Sequence, residues 1–201
     1  MSILFDMPKS QNVISGKRVE TRQITTLTAS RSMHLIKALD EVHLSELASN
    51  AVMHIVTQGA INAFSFVQYF CVIDTVKSLD IAIYRIGMQT LNDLLYLMDR
   101  GRIEQCNILV NDNTNRMKPQ IWSKLIDESK KRDNFNVWAQ NSHAKIIVVE
   151  TDRHYVIEGS GNLSDNARVE QYTVTKSREL AEWHREWLRV DYFGKRKVSG
   201  K

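Results

Sequence analysis

Residues 141–172 read NSHAKIIVVETDRHYVIEGSGNLSDNARVEQY and bring a His, a Lys, a Ser, an Asn and a Glu onto one hairpin and the strand that follows it. Ala144, Ile146 and Val148 alternate with His143, Lys145, Ile147 and Val149. His143 and Lys145 therefore share one face at the start of a strand that is buried on both sides further along. Tyr155, Val156 and Ile157 form a second apolar run, and Glu150-Thr151-Asp152-Arg153 supplies the polar turn between the two. With Thr151 and Asp152 as the two central turn residues, Glu150 lies opposite Arg153. Counting back along that ladder sets His143 opposite Ser160, with Asn162 a diagonal step away on the same face. Gly159 and Gly161 flank Ser160, which lets the backbone bulge or approach a ligand closely there.

The chemistry this group suggests is phosphate chemistry. Lys145 is a point charge, Ser160 and Asn162 are hydrogen-bond donors, and the imidazole of His143 can act as a nucleophile near neutral pH. The stretch has no acidic cluster to hold magnesium, and His143 with His154 lacks a set of zinc partners. No metal and no other cofactor is expected.

Taken singly, an H-x-K on a strand is surface decoration and G-S-G-N is a turn; in order and in register they mean more. The stretch resembles the signature of the phospholipase D superfamily, H-x-K followed by an acidic residue and then G-S-x-N. Here those are His143 and Lys145, then Glu150 or Asp152 as the candidate acidic residue, then Gly159-Ser160-Gly161-Asn162. The family's acid falls seven residues after the His and is Asp, whereas position 150 is Glu, and the hairpin to Gly159 is two residues longer than usual. Members also carry a downstream Glu that hydrogen-bonds the nucleophilic His, and Glu170 matches it. The resemblance is specific over residues 142–175 and architectural before that.

What the resemblance implies is a phosphodiesterase in which His143 forms a phosphohistidine, Lys145, Ser160 and Asn162 bind phosphate oxygens, and Glu170 orients an imidazole. A second H-x-K is missing: His34 has its Lys three residues on, and His43, His54, His154 and His184 have none two residues on. Larger members hold two copies of the motif, and the short single-motif members resembled are nucleases that complete the site by twofold association. A C2 homodimer acting on nucleic acid follows, with DNA ranked ahead of RNA. Two other readings stand beside it. One is a phospholipase or phosphatidyl transferase using the same residues; the other is a non-catalytic nucleic-acid-binding dimer with a decayed site, which rests on Glu150 and the lengthened hairpin.

Working outward, the 201 residues are 43% hydrophobic and 25% charged, the composition of a globular chain able to bury a sizeable core. A net charge of +4 leans toward a polyanionic partner, although four charges on this length decide little. Cys71 and Cys106 sit in apolar contexts and read as reduced core thiols, which points to a cytoplasmic setting. The opening residues lack a secretory pattern, and no run is long and apolar enough to span a bilayer, so no stable membrane association is expected. Residues 1–30 read as an extended arm without chemistry and 31–201 as a single phospholipase D-like domain.

Within that domain, 33–49 suggests helical pieces around a break, 53–56 a strand closed by Gly59, and 63–76 a helix. Residues 80–86 read as a buried strand, and Thr90 or Asn92 caps a helix that Gly101 terminates. Then come a strand at 106–110, a helix over 118–131, a strand at 135–139, the hairpin, a strand at 170–174 and a helix over 177–189. Trp183 and Trp187 on that last helix are assigned to core or dimer packing, not to base stacking, and Lys195-Arg196-Lys197 to a solvated end. The order of elements predicts an α/β layered domain with a mixed β-sheet flanked by helices.

Overall fold

Seven strands form one mixed sheet. The structure is a computed structural model that describes residues 39–40, 42–58, 61–164 and 168–189. The expectations for residues 1–30, for Gly59 and for 195–197 lie outside the described residues. The strands are β1 (Ala51–Gln58), β2 (Ser78–Ile83), β3 (Cys106–Asn111), β4 (Phe135–Gln140), β5 (Lys145–Glu150), β6 (His154–Gly159) and β7 (Val169–Lys176). Their order across the sheet is β1-β7-β6-β5-β2-β3-β4. β2, β3 and β4 run parallel, and β5, β6, β7 and β1 are added antiparallel.

The helices are α1 (Ala63–Ile73), α2 (Met88–Asp99), the short α3 (Thr114–Met117), α4 (Pro119–Lys131) and α5 (Arg178–Trp187). α1 starts where it does because Asn62 Oδ1 accepts the N–H groups of Phe64 and Ser65 at 2.9 and 3.2 Å. α4 begins with Pro at its first turn, where a missing N–H costs nothing. Ser177 caps α5 through the N–H of Leu180. Phe66 and Phe70 of α1, Leu94 of α2 and Leu125 of α4 pack on the face of the sheet that carries Leu79, Ile81, Ile147, Val149 and Ile157. α5 covers the other face, where Ala181 meets Val148 and Val156. The strands of the middle of the sheet are thus buried on both sides, which is why they read as continuous apolar runs.

Four expectations change. β2 ends at Ile83, because the chain beyond it turns to the loop after β6: Arg85 N–H reaches Asn162 Oδ1 at 3.1 Å, and Leu163 N–H reaches Arg85 O at 3.1 Å. α2 starts at Met88 behind Gly87, not at Thr90 or Asn92, since the bonding of Gly87 N–H to Leu163 O (2.7 Å) fixes the chain one turn earlier and leaves Thr90 buried inside the helix. α1 stops at Ile73, where Asp74 turns its carboxylate to the N–H of Thr75 and Arg102 takes the carbonyls of Cys71 and Asp74. The fourth is the hairpin. Glu150 pairs with His154, not Arg153, so the loop is the three residues Thr151, Asp152 and Arg153. A two-residue turn needs a positive φ at one or both central positions, which suits neither β-branched Thr nor an ordinary Asp; neither residue adopts one. Instead Thr151 Oγ1 accepts the N–H of Arg153 at 3.1 Å and closes a wider loop.

Gly101, with φ of 65°, does end α2 just past its last turn. Of the 33–49 region, the described residues include a 3-10 turn at Leu44–Glu46. Trp187 packs against the cluster of Ala82, Leu109, Trp138 and Leu188, while Trp183 is exposed.

Candidate active site

The carboxyl ends of β2, β3 and β4 lie on one edge of the sheet, and β5 starts there because Lys145 pairs with Ile83 at the end of β2. Edges of this kind are where open α/β sheets bind ligands. β6 finishes and β7 begins on the same edge, with Gly159 opposite Tyr172.

His143 sits two residues before β5. Its peptide is held from both sides: Asn111 Nδ2 donates to Ser142 O at 2.8 Å, and Ser142 Oγ accepts from Ala144 N–H at 3.2 Å. The imidazole packs on the ring of Tyr84, with centroids 4.5 Å apart. Lys145 folds back over it. Its Nζ is 3.2 Å from His143 Nδ1, donates to His143 O at 3.1 Å, and lies 5.7 Å from the centre of the Tyr84 ring. Partial burial at the strand end pushes the Lys145 pKa below that of a free lysine, while the charge of Glu170 pulls it back up.

Glu170 is buried and accepts the hydroxyl of Ser160. Ser160 is thereby fixed twice, because its Oγ also accepts the N–H of Gln171 at 3.1 Å. The two glycines beside it are required by space. A Cβ on Gly159 would lie 2.3 Å from Gln171 O, and one on Gly161 would lie 1.9 Å from Tyr172 Oη. Asn162 turns its Oδ1 to the backbone of Arg85, whose guanidinium lies 5.2 Å over the Tyr84 ring.

His143 and Lys145 are thus one contacting pair and Glu170 and Ser160 another, with the charge of Glu170 acting on Lys145 between them, and Asn162 approaches His143 from the other side through Arg85 and Tyr84. The one-residue change of register, extended beyond the last pair, sets Gly161 and not Ser160 level with His143; Ser160 instead bonds to Glu170. Glu150 and Asp152 are elsewhere. Glu150 is five positions along β5 from Lys145, about 17 Å at strand spacing, and on the opposite face. It pairs with Arg185 Nη1 of α5, whose Nε holds the fully buried Asp80 of β2 at 2.8 Å. Asn107 Nδ2 supplies a second donor to Asp80 at 2.6 Å. Asp152 lies in the exposed loop and pairs with Lys77 at 2.7 Å. No group of three or more His, Cys, Asp or Glu side chains among the described residues is arranged to hold a metal ion.

Tyr84 and Arg85 are site residues that the motif does not include. An aromatic and a cation at the end of a buried strand are the signal they leave in the sequence.

Residues 71–192 match the family model described as cardiolipin synthase, PLD-like domain. No curated protein matches the sequence. Among solved structures, Nuc from Salmonella typhimurium, a phospholipase D family member, superposes with a TM-score of 0.55 at 17% identity, over 75% of this chain and 99% of that one. NucT from Helicobacter pylori gives a TM-score of 0.51 at 17% identity, over 69% of this chain and 94% of that one. The archaeal chromatin protein TrmBL2, described as showing a novel mode of DNA binding, gives 0.50 at 16% identity over 84% of this chain and 62% of that one.

Proposed function

The chain belongs to the phospholipase D superfamily as a phosphodiesterase-type member, and on that premise we propose that it is a nuclease that works as a homodimer through a phosphohistidine. The observation that carries this is the gathering of His143 with Lys145 and of Ser160 with Glu170 at one end of the sheet, a nucleophile, a cation and a braced hydroxyl of the kinds a phosphate needs. Only one H-x-K is present, so one chain supplies half of a two-histidine site.

In the reaction, a phosphate draws Lys145 Nζ off Nδ1 of His143. Nε2 of one protomer attacks phosphorus and forms the P–N bond as the P–O bond to the leaving group breaks, and the partner's His143 protonates the departing oxygen. Water then attacks the phosphohistidine, giving a proton to the partner's His143 and releasing the phosphate monoester. Lys145 and the Asn162 amide stabilise the non-bridging oxygens as charge builds on them, and Ser160 adds a third donor as its one proton turns from Glu170 to the phosphate. None of these steps draws on a metal ion.

The basic net charge leans the same way, toward a polyanionic substrate, without separating nucleic acid from lipid. The test is cleavage of labelled single- and double-stranded DNA and RNA in excess EDTA at two salt concentrations, with phospholipid vesicles in parallel. Cleavage persists in EDTA, binding weakens as salt rises because phosphate contacts release counterions, and His143→Ala abolishes turnover. Cleavage only on addition of magnesium overturns the mechanism, turnover of lipid alone favours the phosphatidyl-transfer reading, and salt-sensitive binding without cleavage favours a decayed site.

A further inference from the structure

Beside His143 and its Tyr84 partner lies a cavity of about 620 Å³ that no step above uses. It shares Tyr84 and Arg85 with the site: Tyr84 is the residue on whose ring His143 packs, and the Arg85 backbone holds Asn162. Asn111, another lining residue, donates to the carbonyl of Ser142 just before His143. The rest of the wall is unlike a phosphate groove. Met88, Met117 and Ile121 make it apolar, and Lys118 stands at its side.

The geometry points to this cavity as the seat of an unpaired base, the one adjoining the scissile phosphate, which makes a single-stranded nucleic acid the substrate; the inference rests on the nuclease reading above. The volume falls within the roughly 300–1,000 Å³ of pockets that bury a small organic ligand, more than a bare phosphate uses. Thioether and aliphatic walls with an aromatic ring suit the flat face of a base, and two cations suit the phosphates on either side of it. A base in a duplex is stacked and paired and reaches such a cavity only by flipping out, whereas a base in a single strand enters without that cost. A headgroup or an acyl chain is the competing occupant, but an acyl chain gains nothing from Arg85 and Lys118.

The experiment uses the full chain and three substrates: a single-stranded oligonucleotide whose main cut has been mapped, its duplex, and the same strand with an abasic residue on either side of that cut. Wild-type protein cuts the single strand faster than the duplex by about tenfold or more, and an abasic residue on one side slows cleavage by about tenfold, the loss of one stacked base. Met117 is half exposed, so Met117→Trp fills the cavity from its rim without disturbing the core. In that variant the ratio of intact to abasic rates falls to near one. A duplex cut as fast as the single strand, no abasic effect on either side, or an unchanged ratio in Met117→Trp each overturns the inference while leaving the nuclease reading intact. Hydrolysis of phosphatidylglycerol vesicles that Met117→Trp suppresses assigns the cavity to lipid and overturns it. If wild-type protein hydrolyses neither oligonucleotide nor methyl p-nitrophenyl phosphate, the phosphodiesterase reading itself falls and takes this inference with it.

Discussion

Lys145 is charged in a place that opposes its charge. Burial at the strand end lowers its pKa below the ordinary 10.5, so the folded protein holds this proton less tightly than the unfolded chain does. The full penalty on folding is present at pH values below the folded pKa, and stability recovers as pH rises from there to about 10.5. Lys145→Met is therefore expected to melt higher than wild type at neutral pH and to lose that alkaline recovery, while its turnover falls by about 100-fold or more because a phosphate-binding cation is gone. Melting curves from pH 7 to 10 beside initial rates check both halves; a variant that melts lower would show the charge to be stabilised where it stands. Glu150 behaves in the opposite way. Its partner Arg185 is buried and also holds the buried Asp80, so Glu150→Ala leaves Arg185 with half its counter-charge and lowers stability by about 1–2 kcal/mol, less than the 3–5 of a fully buried pair because Glu150 is partly exposed. The activity per folded molecule is expected to stay within about twofold, as measured by rates corrected for the folded fraction, because the residue acts through α5 and not on the phosphate. The motif spacing put Glu150 in line for a role, but an alternating strand sends positions 145 and 150 to opposite faces. What the spacing does not carry is the destination. A charge at position 80 inside an otherwise apolar strand was the sequence's sign that a buried partner exists, although it did not say which one.

At the level of elements, the turn after β6 needs glycine at two positions, where a Cβ would strike the Gln171 carbonyl or the Tyr172 hydroxyl. Gly161→Ala drives a methyl into Tyr172 Oη, whose ring is packed edge-on to Phe66 of α1 at 5.1 Å and does not swing away freely. It is expected to cost about 1–3 kcal/mol by overpacking and to reduce turnover further than stability alone explains, since Ser160 and Asn162 move with the loop. Urea titration gives the first, and rates measured well below the midpoint give the second. An activity loss no larger than the loss of folded protein would separate the turn from the chemistry. This loop is also where the reading from sequence reached its limit. The two strands of the hairpin, their apolar runs and the glycines were legible because each is a local pattern. Register was not, since it depends on whether Thr151 and Asp152 adopt a tight turn or a wider loop closed by a Thr hydroxyl, and a one-residue difference exchanges the faces. The early end of β2 has the same origin: Tyr84 and Ile86 carry the apolar run on past Ile83, but the backbone groups of Arg85 and Gly87 are claimed by Asn162 and Leu163, nearly eighty positions on.

At the scale of the molecule, the layered α/β fold was legible from the alternation of strands and helices, while the way its parts meet around Tyr84 was not, because those contacts join segments far apart in sequence. The chain carries one H-x-K motif, so the two-histidine chemistry proposed above requires a second copy. That requirement has a quantitative signature. If each active centre takes one His143 from each protomer, a mixed dimer of wild-type and His143→Ala chains has a nucleophile without an acid, or an acid without a nucleophile. The active dimers then scale as the square of the wild-type fraction, so an equal mixture that has fully exchanged retains roughly one quarter of the activity; independent sites retain roughly one half. The two chains must be mixed under conditions where protomers exchange, which co-folding from denaturant ensures, and light scattering on the mixture reports that the species is dimeric. His143→Ala is suitable for this because the residue lies before β5, is exposed, and contributes little to the core, so the variant is expected to fold and to pair as wild type does. A curve that is linear in wild-type fraction would mean that each protomer cuts alone, and a monomer at micromolar concentration would remove the shared centre altogether. For wild-type protein alone, activity per chain that falls away on dilution would locate the concentration at which the two halves of the site separate.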